Sequence, residues 1–127
     1  MTNGDEESYM KDIVMRGNII RESGYGWGQQ RHNTDTPALI KGWSYVNRAS
    51  DYVIEDNVFD RCAYRMLHLV ARDEESLPVV KNNTYIQYKG QKLGQYGYNR
   101  ECEPENVDFS EASVKAMDKS PKYIEIL

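Results

Sequence analysis

The chain has 127 residues, with 39% hydrophobic residues, ten Tyr, two Trp and a formal net charge of −4, and its pI is near 5.2. The length is that of one domain with a small core. The net negative charge excludes a protein that binds the phosphate backbone of a nucleic acid through a stripe of basic residues, so we expect no nucleic-acid partner. No apolar run approaches the roughly 18 residues of a membrane span, so we expect no membrane partner either.

Residues 1–9 are predicted to be a disordered or extended segment, since polar and acidic residues dominate them. They lack the basic start and the apolar stretch of a secretory signal peptide. A signal would lie further upstream if this chain were part of a longer protein. The localisation is therefore left open, and cytoplasmic is expected unless upstream sequence is missing.

An internal repeat occupies residues 10–97. Each of three copies has a short apolar run, a turn-prone residue, an Asn and a second apolar run, and the three Asn residues are Asn18, Asn57 and Asn83. Asn residues at the same place in successive copies can stack, with each amide bonding the copy above and the copy below. A single strand–turn–strand unit cannot bury both of its faces, so the units are expected to pile up.

The repeat predicts an all-β fold, namely a right-handed single-stranded parallel β-helix of about three coils. Asn18 and Asn57 are further apart than Asn57 and Asn83, which we interpret as a loop insertion at 25–37. Without that loop, residues 38–43 align with residues 64–69. A β-sandwich is the alternative, but it should show tight hairpin signals, which the strands of the repeat lack.

Residues 98–127 are predicted to form a C-terminal capping segment. Asp108 as an N-cap, with Glu111 three residues on, predicts a short helix that Pro121 ends, and residues 123–127 read as a strand. We expect this segment to cover the last coil. The first coil has no such cover, so a homodimer through that uncapped coil is expected.

Cys62 and Cys102 are the only cysteines. They have neither CxxC spacing nor a nearby His pair, so we expect two free buried thiols, no metal site and no cofactor.

The runs at 18–28, 57–61 and 83–87 resemble bacterial right-handed parallel β-helix proteins of the pectin-lyase-like superfamily, in its glycoside-hydrolase-like branch. The resemblance implies that the chain is the C-terminal part of a larger carbohydrate-active protein. It would contribute part of a polysaccharide-binding groove of a glycoside hydrolase and be incomplete as an enzyme. Two alternatives are a non-catalytic binding or structural module that self-associates, and part of a polysaccharide lyase.

The loop at 25–37 is the expected binding surface, because insertions between repeats usually build the binding face of stacked-repeat proteins. Aromatic side chains can stack on a sugar ring, and polar side chains can bond its hydroxyls or a carboxylate. The candidate substrate-binding residues in and near the loop are Tyr25, Trp27, Arg31, His32, Trp43 and Arg65.

The candidate catalytic residues are Asp60, Glu22 and His68. A glycosidase needs two carboxyl groups that flank the scissile bond, whereas a lyase needs a base and cations that hold a uronate carboxylate. Glu22 aligns with Arg61 rather than with Asp60, so the two acids do not repeat one position, and no nucleophile is assigned. A single His in an apolar strand is more often a hydrogen-bonded core residue.

Overall fold

The computed structural model describes residues 9–23, 40–44 and 48–127, and describes side chains at residues 11–22 and 50–127. The predicted loop at 25–37, with Tyr25, Trp27, Arg31 and His32, lies outside the described residues, as do residues 1–8. The side chain of Trp43 also lies outside them.

Short strands dominate the described residues, and one short helix lies near the C-terminal end. The elements in chain order are β1 (Tyr9–Arg16), β2 (Ile19–Ser23), β3 (Ile40–Ser44), β4 (Arg48–Glu55), β5 (Val58–Cys62), β6 (Arg65–Ala71), β7 (Val79–Lys81), β8 (Thr84–Gln87), β9 (Lys92–Tyr98), β10 (Asn106–Asp108), α1 (Glu111–Met117) and β11 (Tyr123–Ile126).

The strands form three separate sheets, in the orders β1-β4-β7, β2-β5-β8-β11 and β3-β6-β9-β10. In the first two sheets every pairing is parallel. The third sheet is mixed, because β10 runs antiparallel to β9. From β1 to β9 consecutive strands thus enter different sheets, whereas β10 stays in the sheet of β9 and pairs with it.

The prediction of a single-stranded parallel β-helix with a capping helix is wrong. The described residues form three separate sheets, two of them parallel and one mixed, and no single parallel solenoid. The physical reason lies after β9, where the Asn99 side chain accepts hydrogen bonds from the backbone N–H groups of Glu101 and Glu103. This turn reverses the chain, so that β10 returns along β9. The repeat pattern carried no information about that reversal, although the predominance of strands is as expected.

The predicted alignment of residues 38–43 with residues 64–69 is wrong by one residue. Ile40 pairs with Leu67 rather than with Met66. The turn between the second and third strand differs in length from repeat to repeat, so the spacing of the Asn residues does not extend to β3. A shift of one residue moves every side chain of a strand to the opposite face, so this correction changes which residues lie on each face of β3.

The core lies between the sheets and consists of residues from the second and third repeats together with Phe109, Val114 and Met117 of the C-terminal segment. Phe59 and Tyr85, at equivalent positions in these repeats, are fully buried, and their ring centroids lie 5.5 Å apart. Almost all of β6 is buried, with side chains on both of its faces covered. Other buried apolar side chains are Ile54, Met66, Leu67, Leu69, Val80 and Leu93.

The three Asn residues form a hydrogen-bonded ladder inside the stack. The backbone N–H and the side-chain Nδ2 of Asn18 both donate to Oδ1 of Asn57, each over 3.0 Å. The same two groups of Asn57 donate to Oδ1 of Asn83 over 2.9 and 3.0 Å. Asn57 also donates to the carbonyl of Met15, and Asn83 to that of Ile54. The predicted stacking of the three amides is confirmed.

Helix α1 begins at Glu111, and its N-cap is Ser110, whose hydroxyl accepts from the backbone N–H of Ser113. The predicted N-cap, Asp108, lies instead in β10, where it pairs with Lys92. A short Ser hydroxyl in an extended conformation can accept from the third helical N–H, which is why it caps the helix here.

Candidate functional site

Four charged residues, Arg21, Glu22, Asp60 and Arg61, lie together on the paired strands β2 and β5, and we call them the ion-pair strip. Arg21 pairs in register with Asp60, so that Glu22 falls beside Arg61, as the sequence alignment predicted. Glu22 and Arg61 both have left-handed backbones, with φ of 51° and 56°. The two strands therefore kink at equivalent positions of the first and second repeats.

Asp60 is held by two guanidinium groups. Its Oδ1 accepts from Nε of Arg61 over 2.7 Å, and its Oδ2 from Nη2 of Arg61 over 3.3 Å. Nε of Arg21 lies 3.4 Å from Oδ2. Asp60 is only 5% exposed. Both of its oxygens are therefore engaged, which leaves it badly placed to protonate a leaving group.

Glu22 is much more exposed than Asp60, and it is linked to Asp60 through Arg61. Nη1 of Arg61 lies 3.6 Å from Oε1 of Glu22. The hydrogen bond to Asp60 raises the pKa of the Arg61 guanidinium, and a second one to Tyr88 raises it further. The two predicted catalytic carboxylates thus share one cation, instead of facing each other across an open gap as a glycosidase pair must.

Arg65 and His68 lie in a different sheet, on β6. Arg65 is buried, and its Nη1 donates to Oε1 of Gln95 over 2.8 Å. Gln95 in turn donates to the carbonyl of Pro104 over 2.8 Å. Arg65 therefore ties β6 to β9 and to the segment that follows it. This position suits a structural role better than the predicted contact with substrate.

His68 is half-buried and lies in the middle of β6. Its register partners are Lys41 on β3 and Gln95 on β9. The backbone of Trp43 pairs with Val70 two residues further along. The predicted residues therefore divide between two sheets: Glu22 and Asp60 meet on one, and Arg65 and His68 lie on another.

The two cysteines are free and buried, as predicted. Burial raises the pKa of both the Cys62 and the Cys102 thiol. A thiol with a raised pKa has little thiolate at neutral pH, so neither cysteine is suited to nucleophilic chemistry.

Two concave surfaces were not anticipated from the sequence. An open polar groove of about 560 Å³ follows the outside of the β1-β4-β7 sheet, and Lys11, Ser50, Asp51, Glu74 and Glu75 contribute its polar lining. The run of acidic residues at 73–75 was the available signal, but by itself such a run reads as a solvated turn. A smaller apolar pocket of about 160 Å³ lies between β9, β10 and α1.

Within residues 9–23, 40–44 and 48–127, no group of three or more His, Cys, Asp or Glu side chains is arranged to hold a metal ion. The same part of the chain contains no helix with the length and apolarity needed to cross a membrane. Comparisons with protein-family models, with curated proteins and with solved structures found no match to this chain.

Proposed function

We propose that the ion-pair strip, together with Tyr88, is part of a surface that binds an oligo- or polysaccharide, and that the chain is the binding part of a carbohydrate-active protein. The observation that carries this proposal is the convergence of two guanidiniums, an exposed carboxylate and an aromatic ring at one kinked corner. Sugars are recognised by such sets, in which charged groups bond the hydroxyls and a ring packs against the apolar face of the pyranose.

The accessibility of the strip supports binding from solution. The side chain of Arg21 is 58% exposed and that of Glu22 is 54% exposed, and Tyr88 is 39% exposed. Asp60 lies beneath them, accepts hydrogen bonds from the Arg61 guanidinium and forms an ion pair with the Arg21 guanidinium, and so holds both in place. Side chains that are already ordered before binding lose less entropy when a ligand arrives.

Binding is better supported than hydrolysis by these residues. Asp60 is saturated by Arg61 and Arg21, and Glu22 shares the same Arg61 guanidinium. A hydrolase that used this surface would need its acid and base from other parts of the protein. A lyase would use the two guanidiniums to hold a uronate carboxylate, and it would therefore prefer uronate polymers to neutral ones.

Isothermal titration of the purified chain with neutral and uronate-containing polysaccharides tests the proposal. Loss of one charge-assisted hydrogen bond to the sugar costs about 1.5–3 kcal/mol of binding free energy. Arg21→Gln and Arg61→Gln should therefore each weaken binding by about tenfold or more. Arg100→Gln makes the same chemical change at an exposed turn residue outside the strip and should leave the affinity unchanged.

The release of new reducing ends and the formation of unsaturated products, followed in the same samples, separate binding from hydrolase and lyase activity. A chain that binds none of the polysaccharides, or two strip variants that bind as tightly as the unmodified chain, would refute the proposal. A dimer in light scattering without any carbohydrate response would favour the self-associating module instead.

A further inference from the structure

The first repeat has an open face, formed by β1, the Asn18 turn and β2 on the side away from β4 and β5. Asn18 is exposed, whereas its counterpart Asn57 is 1% exposed. Ile20 is half-buried, whereas its counterpart Phe59 is fully buried. Positions that are covered in the second repeat are therefore uncovered in the first, and we call this surface the first-repeat face.

The Asn ladder gives the first-repeat face a definite hydrogen-bond polarity. In each step, the backbone N–H and Nδ2 of one Asn donate to Oδ1 of the Asn in the following repeat. Nδ2 of Asn18 also donates to the carbonyl of Arg16, so both of its amide hydrogens are used. Among the described residues, no donor reaches Oδ1 of Asn18. The face therefore presents an acceptor that fits two N–H donors.

The arginines on either side of the Asn18 turn each lie over a carboxylate of the second repeat, and on the Arg16 side the sign of the charge alternates through the third repeat. Arg16 lies over Glu55, with 3.0 Å between Nε and Oε1, and Glu55 lies over Lys81, with 3.7 Å between Oε2 and Nζ. Arg21 lies over Asp60 in the same way. The first-repeat face thus ends in two arginines, and its charge complement is a pair of carboxylates.

We propose that the first-repeat face binds a strand–turn–strand polypeptide segment that carries an Asn between two carboxylates, and that this segment adds parallel strands to β1 and β2. The Asn donates its backbone N–H and its amide to Oδ1 of Asn18, while the carboxylates lie against Arg16 and Arg21. The second repeat of this chain has the required pattern, with Glu55, Asn57 and Asp60 at the three positions.

A second copy of the chain is a poorer occupant than such a segment. The same face of another copy offers an Asn18 oxygen whose amide hydrogens are already donated. At the opposite end of the stack the ladder terminates in Asp118, whose carboxylate is an acceptor. Neither end of a second copy supplies the two N–H donors that Asn18 lacks.

A labelled peptide with the sequence of residues 48–61 is the probe, titrated into the full chain and followed by fluorescence anisotropy. The matched control peptide carries Asn57→Asp, which keeps the shape of the side chain but removes its amide hydrogens. We expect saturable binding of the first peptide, and binding weaker by at least tenfold for the control. Arg16→Glu in the full chain should weaken binding of the first peptide by a similar factor.

Hydrogen exchange and light scattering complete the test. Peptide binding should slow amide exchange in residues 13–21 and leave residues 123–126 of the opposite edge unchanged. The proposal is overturned if the peptide does not bind, if the Asn57→Asp peptide binds equally well, or if the protection appears at residues 123–126. A chain that is dimeric and stays dimeric with saturating peptide would assign the face to a second copy and would also overturn it.

Discussion

The hydroxyl of Tyr85 donates to Oδ2 of Asp118 over 2.7 Å, beneath the last step of the Asn ladder. The same oxygen accepts from the backbone N–H and from Nδ2 of Asn83, both over 3.1 Å. Oδ1 of Asp118 accepts from the backbone N–H groups of Asn82 and Ser120. A carboxylate has no hydrogen to pass on, so Asp118 terminates the ladder that the three Asn residues build.

Asp118→Ala should be among the most destabilising single substitutions in the chain. It leaves three buried donors, the backbone N–H and Nδ2 of Asn83 and the hydroxyl of Tyr85, without their acceptor. Each unsatisfied buried donor costs about 1–3 kcal/mol, so we expect a loss of at least about 3 kcal/mol. Urea denaturation measures the change. Asp108→Ala, at a side chain that is 73% exposed, is the matched control and should cost less than about 1 kcal/mol. Equal effects of the two substitutions would contradict a structural role for Asp118.

The stability of the chain should fall at alkaline pH through Tyr85. Burial raises the pKa of the Tyr85 hydroxyl above its ordinary value of 10.0, and the hydrogen bond to Asp118 raises it further. Below pH 10 both the folded and the unfolded chain hold this proton. Between that pH and the raised pKa, only the folded chain holds it, so the free energy of unfolding decreases as the pH rises.

Tyr85→Phe should remove the contribution of Tyr85 to the loss of stability at alkaline pH. One titrating group contributes about 1.4 kcal/mol per pH unit, so the slope of unfolding free energy against pH above pH 10 should become shallower by about that amount. Tyr52 and Tyr96, whose pKa values burial also raises, keep their own contributions. Tyr98→Phe, at an exposed tyrosine, is the comparison, and a slope that both variants change equally would refute the assignment.

Removing a side chain from the middle of the Asn ladder should cost more than removing it from the open end. Asn57→Ala deletes the acceptor for Asn18 and the donors to Met15 and Asn83 at a buried site, so we expect a loss of about 2–4 kcal/mol. Asn18→Ala removes donors at an exposed position, where water can replace them, and should cost about 1 kcal/mol. Thermal and urea unfolding of both variants give the comparison, and a larger loss for Asn18→Ala would contradict the argument that burial sets the cost of each step of the ladder.

Gly94 lies where a side chain cannot be accommodated. A Cβ atom at this position would come 1.9 Å from the backbone oxygen of Leu67, on the neighbouring strand β6, and its φ is +124°. Gly94→Ala must therefore move β9 away from β6, at a cost of about 3 kcal/mol or more. At Gly90, φ is +89° but nothing lies within 4 Å of an added Cβ. Gly90→Ala should therefore cost only about 1 kcal/mol in backbone strain. Similar unfolding midpoints for the two variants would show that β6 and β9 can separate without cost.

The repeat could be read from the sequence because it depends on local spacing. Asn18, Asn57 and Asn83 each follow a residue with a left-handed backbone, and a fixed turn brings equivalent residues into register. That is why the ladder, and the position of Glu22 beside Arg61, could be predicted without coordinates. The residue types of the candidate site were equally visible, but the engagement of Asp60 by Arg21 and Arg61 was not.

The tertiary structure decided the features that depend on long-range contacts. The register of β3 against β6 follows from turn lengths that vary between repeats. A change of one residue in that register moves each residue of a strand to the opposite face of the sheet. The antiparallel return of β10 depends on the Asn99 turn. The engagement of Asp60 by Arg21 and Arg61 depends on how two strands from different repeats pair.

The sequence by itself thus determined that this protein is built of stacked strand–turn–strand repeats joined by an internal Asn ladder, because the pattern that encodes them recurs along the chain. Only the tertiary structure divided the strands among three sheets and made Asp118 the terminal acceptor of the ladder. Asp118 belongs to no repeat. Its role follows from burial next to Asn83 and Tyr85, and burial is a property of the folded chain that no local spacing reveals.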